Sequence, residues 1–242
     1  MKADPAVQRR LLDLAEVDAD LNRVTHRRRT LPELTEVGEA ERDLTAKRDD
    51  LVVVQTSYND LDREVKRLEG EVDQLRKREQ RDRELMSGGA SPKQLEDLER
   101  ELEALTRRQG VLEDELLDVM EQREALEMNV SKATEAATAA EERVAEVQER
   151  RDAAVADLDT AEARGTASRR LILDNVPEGL AALYERIREQ KGVGAGLLQG
   201  ARCGACRLEL DRSALNDVRE AAPDDVVRCE ECGAILVRES GK

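Results

Sequence analysis

Residues 95–161 read LEDLERELEALTRRQGVLEDELLDVMEQREALEMNVSKATEAATAAEERVAEVQERRDAAVADLDTA. With Leu95 at heptad position a and Leu98 at d, one phase holds for twenty seam positions. These are Leu95, Leu98, Leu102, Leu105, Gln109, Leu112, Leu116, Val119, Arg123, Leu126, Val130, Ala133, Ala137, Ala140, Val144, Val147, Arg151, Ala154, Leu158 and Ala161. Seventeen of the twenty are apolar, and none is Pro or Gly. A stripe kept at a period of 3.5 residues predicts a long helix that must bury one side against another helix.

The composition agrees. The chain has 242 residues, 39% charged and 1% aromatic, with no Phe or Trp. A globular domain of that length would normally fill its core with aromatic bulk. Heptad periodicity in a chain rich in Ala, Glu, Leu and Arg reads instead as coiled coil. The sustained apolar phase argues against the disorder that so charged a composition otherwise suggests. A net charge of −15 opposes general nucleic-acid binding, which draws its affinity from neutralising phosphates. Met1-Lys2-Ala3-Asp4-Pro5 lacks the apolar core of a signal peptide, and no apolar run could span a bilayer. The expectation is a cytoplasmic protein without a membrane partner.

N-terminal to this stretch, Ser87-Gly88-Gly89-Ala90-Ser91-Pro92 punctuates the chain. The glycines suit a helix end, while Ser91, Pro92 and Gln94 suit the N-cap, N1 and N3 positions of the next helix. So short a loop makes the flanking helices antiparallel neighbours. The preceding arm carries Val37, Leu44, Leu51, Val54, Tyr58, Leu61, Val65, Leu68, Val72 and Leu75 in one phase. An earlier phase carries Val7, Leu11, Leu14, Val17, Leu21, Val24 and Leu31. The phases change at Thr30-Leu31-Pro32-Glu33, where Thr30 and Glu33 fit a capping box, so a kink or restart is expected there. With the turn centred near residue 89, facing residues should have numbers adding to roughly 178. That places Gly165 near residue 13 and the alanines Ala133, Ala137 and Ala140 near Gly38, Ala40 and Leu44. Arms of roughly 75 residues at about 1.5 Å each would make a rod on the order of 110 Å long.

Beyond Gly165, Pro177 opens a candidate helix carrying Leu180, Leu183, Tyr184 and Ile187. The alternating glycines of Lys191-Gly192-Val193-Gly194-Ala195-Gly196 follow it. They form no phosphate-binding fingerprint, and close packing of a short strand is the better reading. The expected fold class is therefore mainly α, a long antiparallel coiled-coil helical hairpin with a small C-terminal β zinc ribbon. Residues 1–170 would form the hairpin, with arms at about 6–86 and 92–165. Residues 171–242 would hold the short helix and the ribbon.

The ribbon rests on Cys203-Gly204-Ala205-Cys206 and Cys229-Glu230-Glu231-Cys232, the chain's four cysteines, with 22 residues between the pairs. Two C-x2-C pairs at this spacing give tetrahedral thiolate coordination. Gly233 suits the turn that leaves the second pair, and Leu208 to Leu210, Val226 to Arg228 and Ala234 to Val237 are short β-prone runs. Cys203, Cys206, Cys229 and Cys232 are thus the candidate ligands of one structural Zn²⁺. Four thiolates also suit an iron–sulfur cluster, whereas a catalytic zinc would need a position left open for water. His26, the single histidine, reads as a solvated helix-face residue, and no nucleophile–base constellation is evident. The protein is not expected to be an enzyme.

Several of these features together resemble a family of bacterial coiled-coil proteins with a C-terminal C4-type zinc ribbon. They are Asp18 in the opening Leu-rich helix, the Leu31-Pro32 break, the turn Ser91-Pro92-Lys93-Gln94-Leu95, Tyr184, Gly192, and the two Cys pairs ending in Gly233. The resemblance implies a kinked helical hairpin with a zinc ribbon at its base. It also implies roles of the kind attributed to some relatives: binding an alternative sigma factor, assisting flagellar or secretion assembly, or binding RNA. Relatives often carry a basic residue and an aromatic after the second Cys pair, where this chain has Ala234-Ile235-Leu236-Val237.

Residues 201–242 hold seven Lys/Arg and nine Asp/Glu and no aromatic for base stacking. The expected function is a zinc-binding interaction protein, an adaptor or chaperone-like scaffold for transcription or assembly machinery with a protein partner. It would act as a monomer or a coiled-coil dimer. The alternative is a nucleic-acid binder using the ribbon or the basic hairpin tip, where Arg76, Lys77, Arg78, Arg81 and Arg83 cluster; Arg27-Arg28-Arg29 is a second cluster. Metal should supply much of the folding energy of about 40 residues without an aromatic. Chelation, or Cys229→Ser, is predicted to melt the ribbon while leaving the far-UV circular dichroism of the helices nearly intact.

Overall fold

The computed structural model describes residues 1–238, so the last four residues of the expected 171–242 segment lie outside the described residues. In chain order the elements are α1 (Pro5–Arg29), α2 (Pro32–Ser87), α3 (Pro92–Leu173), α4 (Glu178–Lys191), β1 (Ala195–Gln199), β2 (Arg202–Cys203), α5 (Arg212–Glu220), β3 (Val227–Arg228) and β4 (Ile235–Val237). The fold is mainly helical, an antiparallel coiled-coil hairpin with a small C-terminal strand region. The chain divides into two compact units. One is Thr35–Glu149; the other joins Met1–Leu34 to Arg150–Lys242. This division differs from a boundary at residue 170, because the first helix shares its unit with the ribbon.

Within Thr35–Glu149, α2 and α3 run antiparallel. Every a and d position from Leu95 through Val147 is buried or half-buried, and so are all ten apolar positions of the α2 phase. Leu68, Val72 and Leu112 form the best-shielded cluster, with Leu75, Leu116 and Val119 packed against it. At the turn, Gly89 takes a φ of +95°, and the backbone N–H of Ser91 donates to Gln94 Oε1 at 2.9 Å. The reaching-back glutamine of a capping box is therefore in place.

The register differs from the expected value of 178. The numbers add to 185 for Arg123 with Asp62 (3.5 Å), and to 189 both for Arg76 with Glu113 (2.6 Å) and for Arg48 with Glu141 (2.7 Å). Only Arg78 with Glu101, next to the turn, adds to 179. The arms are thus offset by about one heptad, and Ala133, Ala137 and Ala140 face residues C-terminal to the expected Gly38–Leu44. One heptad of slip leaves the apolar stripe in register with itself, so it is the polar pairs that report the offset.

Within the second unit, α1 packs on the C-terminal part of α3 and on α4. Asp4 caps α1 by accepting from Ala6 N–H at 2.7 Å, and Pro5 occupies the first turn. At the other end the Thr30 hydroxyl donates to the His26 carbonyl at 3.0 Å. Thr30 therefore closes α1, whereas the sequence reading had it open α2. The break before Pro32 is real. Gly165 meets Leu21, not residue 13: a Cβ on Gly165 would lie 2.8 Å from Leu21 Cδ2. α3 runs on to Leu173, eight residues past the expected end of that arm.

The three helices meet at a buried carboxylate. Asp18, 3% exposed, receives Arg169 Nε at 2.7 Å, the Tyr184 hydroxyl at 2.7 Å and Arg188 Nε at 3.1 Å. Glu185 pairs with both arginines and completes the network. Burial, reinforced by the bond to Asp18, holds the Tyr184 hydroxyl protonated far above its ordinary range. Exposed pairs such as Arg28 with Asp159 and Glu162 (both 2.7 Å) are worth about 1 kcal/mol or less. Breaking a buried network leaves charge uncompensated and costs about 3–5 kcal/mol. Asp18→Ala is expected to lose that much in a denaturant titration, Tyr184→Phe about 1 kcal/mol, and Arg28→Ala within about 1 kcal/mol of wild type.

Candidate metal centre

The sheet that carries the cysteines has the order β2-β1-β4-β3, with β1 and β4 parallel and the other neighbours antiparallel. Gly192 ends α4 in the left-handed region, and the chain enters β1 past Gly194. A Cβ at Gly194 would come within 2.5 Å of the Tyr184 ring, so this glycine is needed for close approach, as the alternating pattern suggests. Pro177 opens α4 as its N-cap, and the first helical residue is Glu178. Of the β-prone runs, 226–228 and 234–237 form β3 and β4. Leu208–Leu210 contributes only an isolated bridge between Arg202 and Glu209.

Each Cys pair forms the same hairpin. In the first, Cys203 N–H donates to Leu208 O (3.0 Å) and Arg207 N–H to Cys203 O (2.8 Å). In the second, Cys229 N–H donates to Ala234 O (2.9 Å) and Gly233 N–H to Cys229 O (2.8 Å). The residue after the second cysteine of each pair lies in the left-handed region, Arg207 at φ +62° and Gly233 at φ +78°. Gly233 takes that conformation without a steric penalty, whereas Arg207 pays for its Cβ.

The four sulfurs lie within 4.8 Å of one another, with Cys203 and Cys232 Sγ 3.9 Å apart and Cys206 and Cys229 Sγ 4.0 Å apart. A tetrahedron with about 2.3 Å metal–sulfur bonds has sulfur–sulfur edges of about 3.8 Å. The spacing therefore fits one Zn²⁺. Backbone N–H groups aim at the sulfurs: Ala205 and Cys206 at Cys203, Leu208 at Cys206, and Ala234 at Cys232. The Leu208 amide leads in pulling the Cys206 thiol down. Burial pushes Cys203 up and Cys232 up to about 12. A buried and a half-buried thiol raised in this way need a cation to be held as thiolates at neutral pH.

One element was missed in the sequence. Helix α5 lies between the two Cys pairs and closes the metal side, its Ala214 and Val218, with Leu210 just before it, packed in one cluster with Cys203, Cys229 and Leu236. Its signal was present: Asp211 caps it by accepting from Ala214 N–H at 2.8 Å, and Ala214, Leu215 and Val218 follow at helical spacing. His26 is exposed, as expected of a helix-face residue. Several members of the basic clusters are paired with carboxylates. Arg76 pairs with Glu113, Lys77 with Asp73, Arg78 with Glu101, Arg83 with Glu79, and Arg28 with Asp159 and Glu162.

A helical hairpin joined to a four-cysteine knuckle pair defines a coiled-coil zinc-ribbon protein, with one structural Zn²⁺. The chain belongs to the CT398-like coiled coil hairpin family, whose pattern matches residues 14–192, and its C-terminus matches the C4-type zinc ribbon domain over residues 202–236. It is 44% identical over 242 residues to the Mycobacterium tuberculosis protein Rv2229c, covering 100% of this chain and 99% of that one. It is 34% identical over 229 residues to ML1638 of Mycobacterium leprae, covering 94% and 99%. A solved Mycobacterium smegmatis structure is similar with a TM-score of 0.86 at 42% identity, over 98% of this chain and 100% of that chain. CT398 from Chlamydia trachomatis shares the fold with a TM-score of 0.62 at 17% identity, over 97% and 98%.

A residue with a Cβ in the left-handed region costs about 1 kcal/mol relative to glycine. Arg207→Gly is therefore expected to stabilise the zinc-bound ribbon by up to about 1 kcal/mol, and Gly233→Ala to destabilise it by a similar amount. Slower and faster zinc transfer to a coloured chelator, respectively, would show this.

Proposed function

We propose that this is a non-enzymatic zinc-binding interaction protein, an adaptor or chaperone-like scaffold for transcription or assembly machinery. In this reading Cys203, Cys206, Cys229 and Cys232 are the ligands of the one Zn²⁺. The carrying observation is the set of four sulfurs at tetrahedral spacing. Four thiolates leave no position for water or substrate, so such a metal builds structure and performs no reaction. What remains for function is surface, and its largest part is the outer faces of α2 and α3. Large apolar side chains lie open there, among them Val52, Val53, Leu117 and Met128. No described helix is long and apolar enough to cross a membrane, and the reading places the protein in the cytoplasm, as a monomer or a coiled-coil dimer.

Nucleic-acid binding through the hairpin tip is disfavoured by the pairing of Arg76, Lys77, Arg78 and Arg83 with carboxylates, since a phosphate would have to displace each partner. The test is affinity capture from the native host with the full chain and with a variant carrying Arg76→Glu, Arg78→Glu and Arg81→Glu, each with and without nuclease treatment. A protein partner that survives both nuclease and charge reversal is expected. Recovery of nucleic acid that disappears with the three arginines would overturn the adaptor reading.

A further inference from the structure

The three residues of β4 alternate between two cores. Ile235 and Val237 face a cluster with Leu11 and Leu14 of α1 and Tyr184 of α4, whereas Leu236 faces Cys203, Cys229 and α5. Strand side chains alternate with a period of two, so no backbone shift of β4 can disturb one core and spare the other. β4 begins two residues after the glycine that leaves the second Cys pair. The first Cys pair is held equally close to the neighbouring strand: Gly204 N–H donates to Leu197 O at 2.8 Å, and Gly196 lies against the Ala205 amide with no room for a Cβ.

The start of α1 is fastened to the same body by a second route. Ala3 N–H donates to Asp224 O (2.8 Å), and Val226 N–H donates to Met1 O (3.0 Å). Lys2 Nζ lies 3.0 Å from Asp224, and Gln8 Nε2 reaches Pro223 O at 3.3 Å. The loop they grip is fixed to the end of β4 by Arg238, whose guanidinium donates to five carbonyls: Val218, Ala221, Ala222, Pro223 and Asp225, at 2.6–3.2 Å. Further along α1, attachment passes to Asp18 and to the Leu21–Gly165 contact, neither of which involves the ribbon.

We propose that zinc occupancy and docking of the N-terminal part of α1 are one linked equilibrium, with zinc acting as the lock on residues 1–14 and the Asp18 network as the point where release stops. This rests on the reading of the four cysteines as the zinc ligands. A ribbon without metal lacks the energy to hold β1 and β4 in place. Once β4 shifts, Leu11 and Leu14 lose the sheet that covers them, and Met1 to Ala3 lose their backbone partners. The linkage is reciprocal, so loosening α1 must weaken the hold on zinc by the same factor. Metal loss would then uncover an amphipathic N-terminal segment and leave α2 and the greater part of α3 as they were.

Hydrogen exchange of the full chain, read by mass spectrometry with and without a zinc chelator, tests this directly. Protection is expected to fall together in residues 1–14 and 195–238 and to persist in residues 35–149. Retained protection of residues 1–14 while the ribbon exchanges freely would overturn the linkage. Metal analysis separates the two readings, because a protein purified without zinc defeats the ligand assignment, whereas one zinc per chain with an unmoved α1 defeats only the linkage. From the other side, Leu11→Ala should weaken zinc affinity, read by equilibrium competition with the chelator, about tenfold, within the 5–150-fold range usual for coupled sites. Leu68→Ala, which removes an equally buried leucine from the Thr35–Glu149 unit, should leave it unchanged. Equal weakening by both would mean global unfolding, and would overturn the proposal.

Discussion

Tyr184 gives its hydroxyl to Asp18 across 2.7 Å, and the buried network around that carboxylate is where α1, α3 and α4 are held together. With no Phe or Trp and only two Tyr, the chain places one ring, that of Tyr184, at the centre of a core and buries it completely. Burying a phenol obliges a partner for its hydroxyl, and choosing a carboxylate obliges positive charge around it. Arg169 from α3 and Arg188 from α4 supply that charge, and Glu185 balances them. The ring itself dictates the next step, since the chain can pass over it into β1 only where Gly194 has no side chain. One polar contact therefore fixes the meeting point of three helices and the line on which the ribbon starts.

The helical part of this fold was legible because its signal is redundant. Any few of the leucines from Leu95 to Leu158 give the phase, and Pro32 and Gly89 mark the breaks. The register was not legible for the same reason. A stripe of leucines matches itself after a slip of one heptad, so the apolar pattern carries almost no information about offset. The contacts that reveal the offset are pairs such as Arg48 with Glu141 and the Gly165–Leu21 approach. In a chain that is 39% charged, nothing distinguishes the charges that pair across the hairpin from those that pair along one helix.

The grouping of the four cysteines was legible and its setting was not. Cys-x2-Cys spacing is local chemistry, visible in any four residues. The positive φ of Arg207 was invisible, since arginine gives no hint of that conformation; only the equivalence of the two hairpins, with Gly233 in the matching place, exposes it. The union of α1 with the ribbon was hidden more deeply. It rests on contacts between residues more than 200 positions apart, such as Ala3 with Asp224, which no local pattern encodes. A boundary drawn where the heptads fade, near residue 170, runs through a shared core.

That shared core changes what the zinc ribbon is for. A ribbon hung from a helix by a linker would be a detachable module whose surface alone mattered. Here its central strand is common property, with Ile235 and Val237 serving the helices and Leu236 serving the metal side. Four thiolates with one Zn²⁺ carry a formal charge of about −2, next to a segment already net acidic by its own side chains. An electrostatic grip on phosphate is then a poor use of this surface. The folding energy of the metal is better understood as bracing α1 against α3 and α4 in a chain that has almost no aromatic bulk to do so.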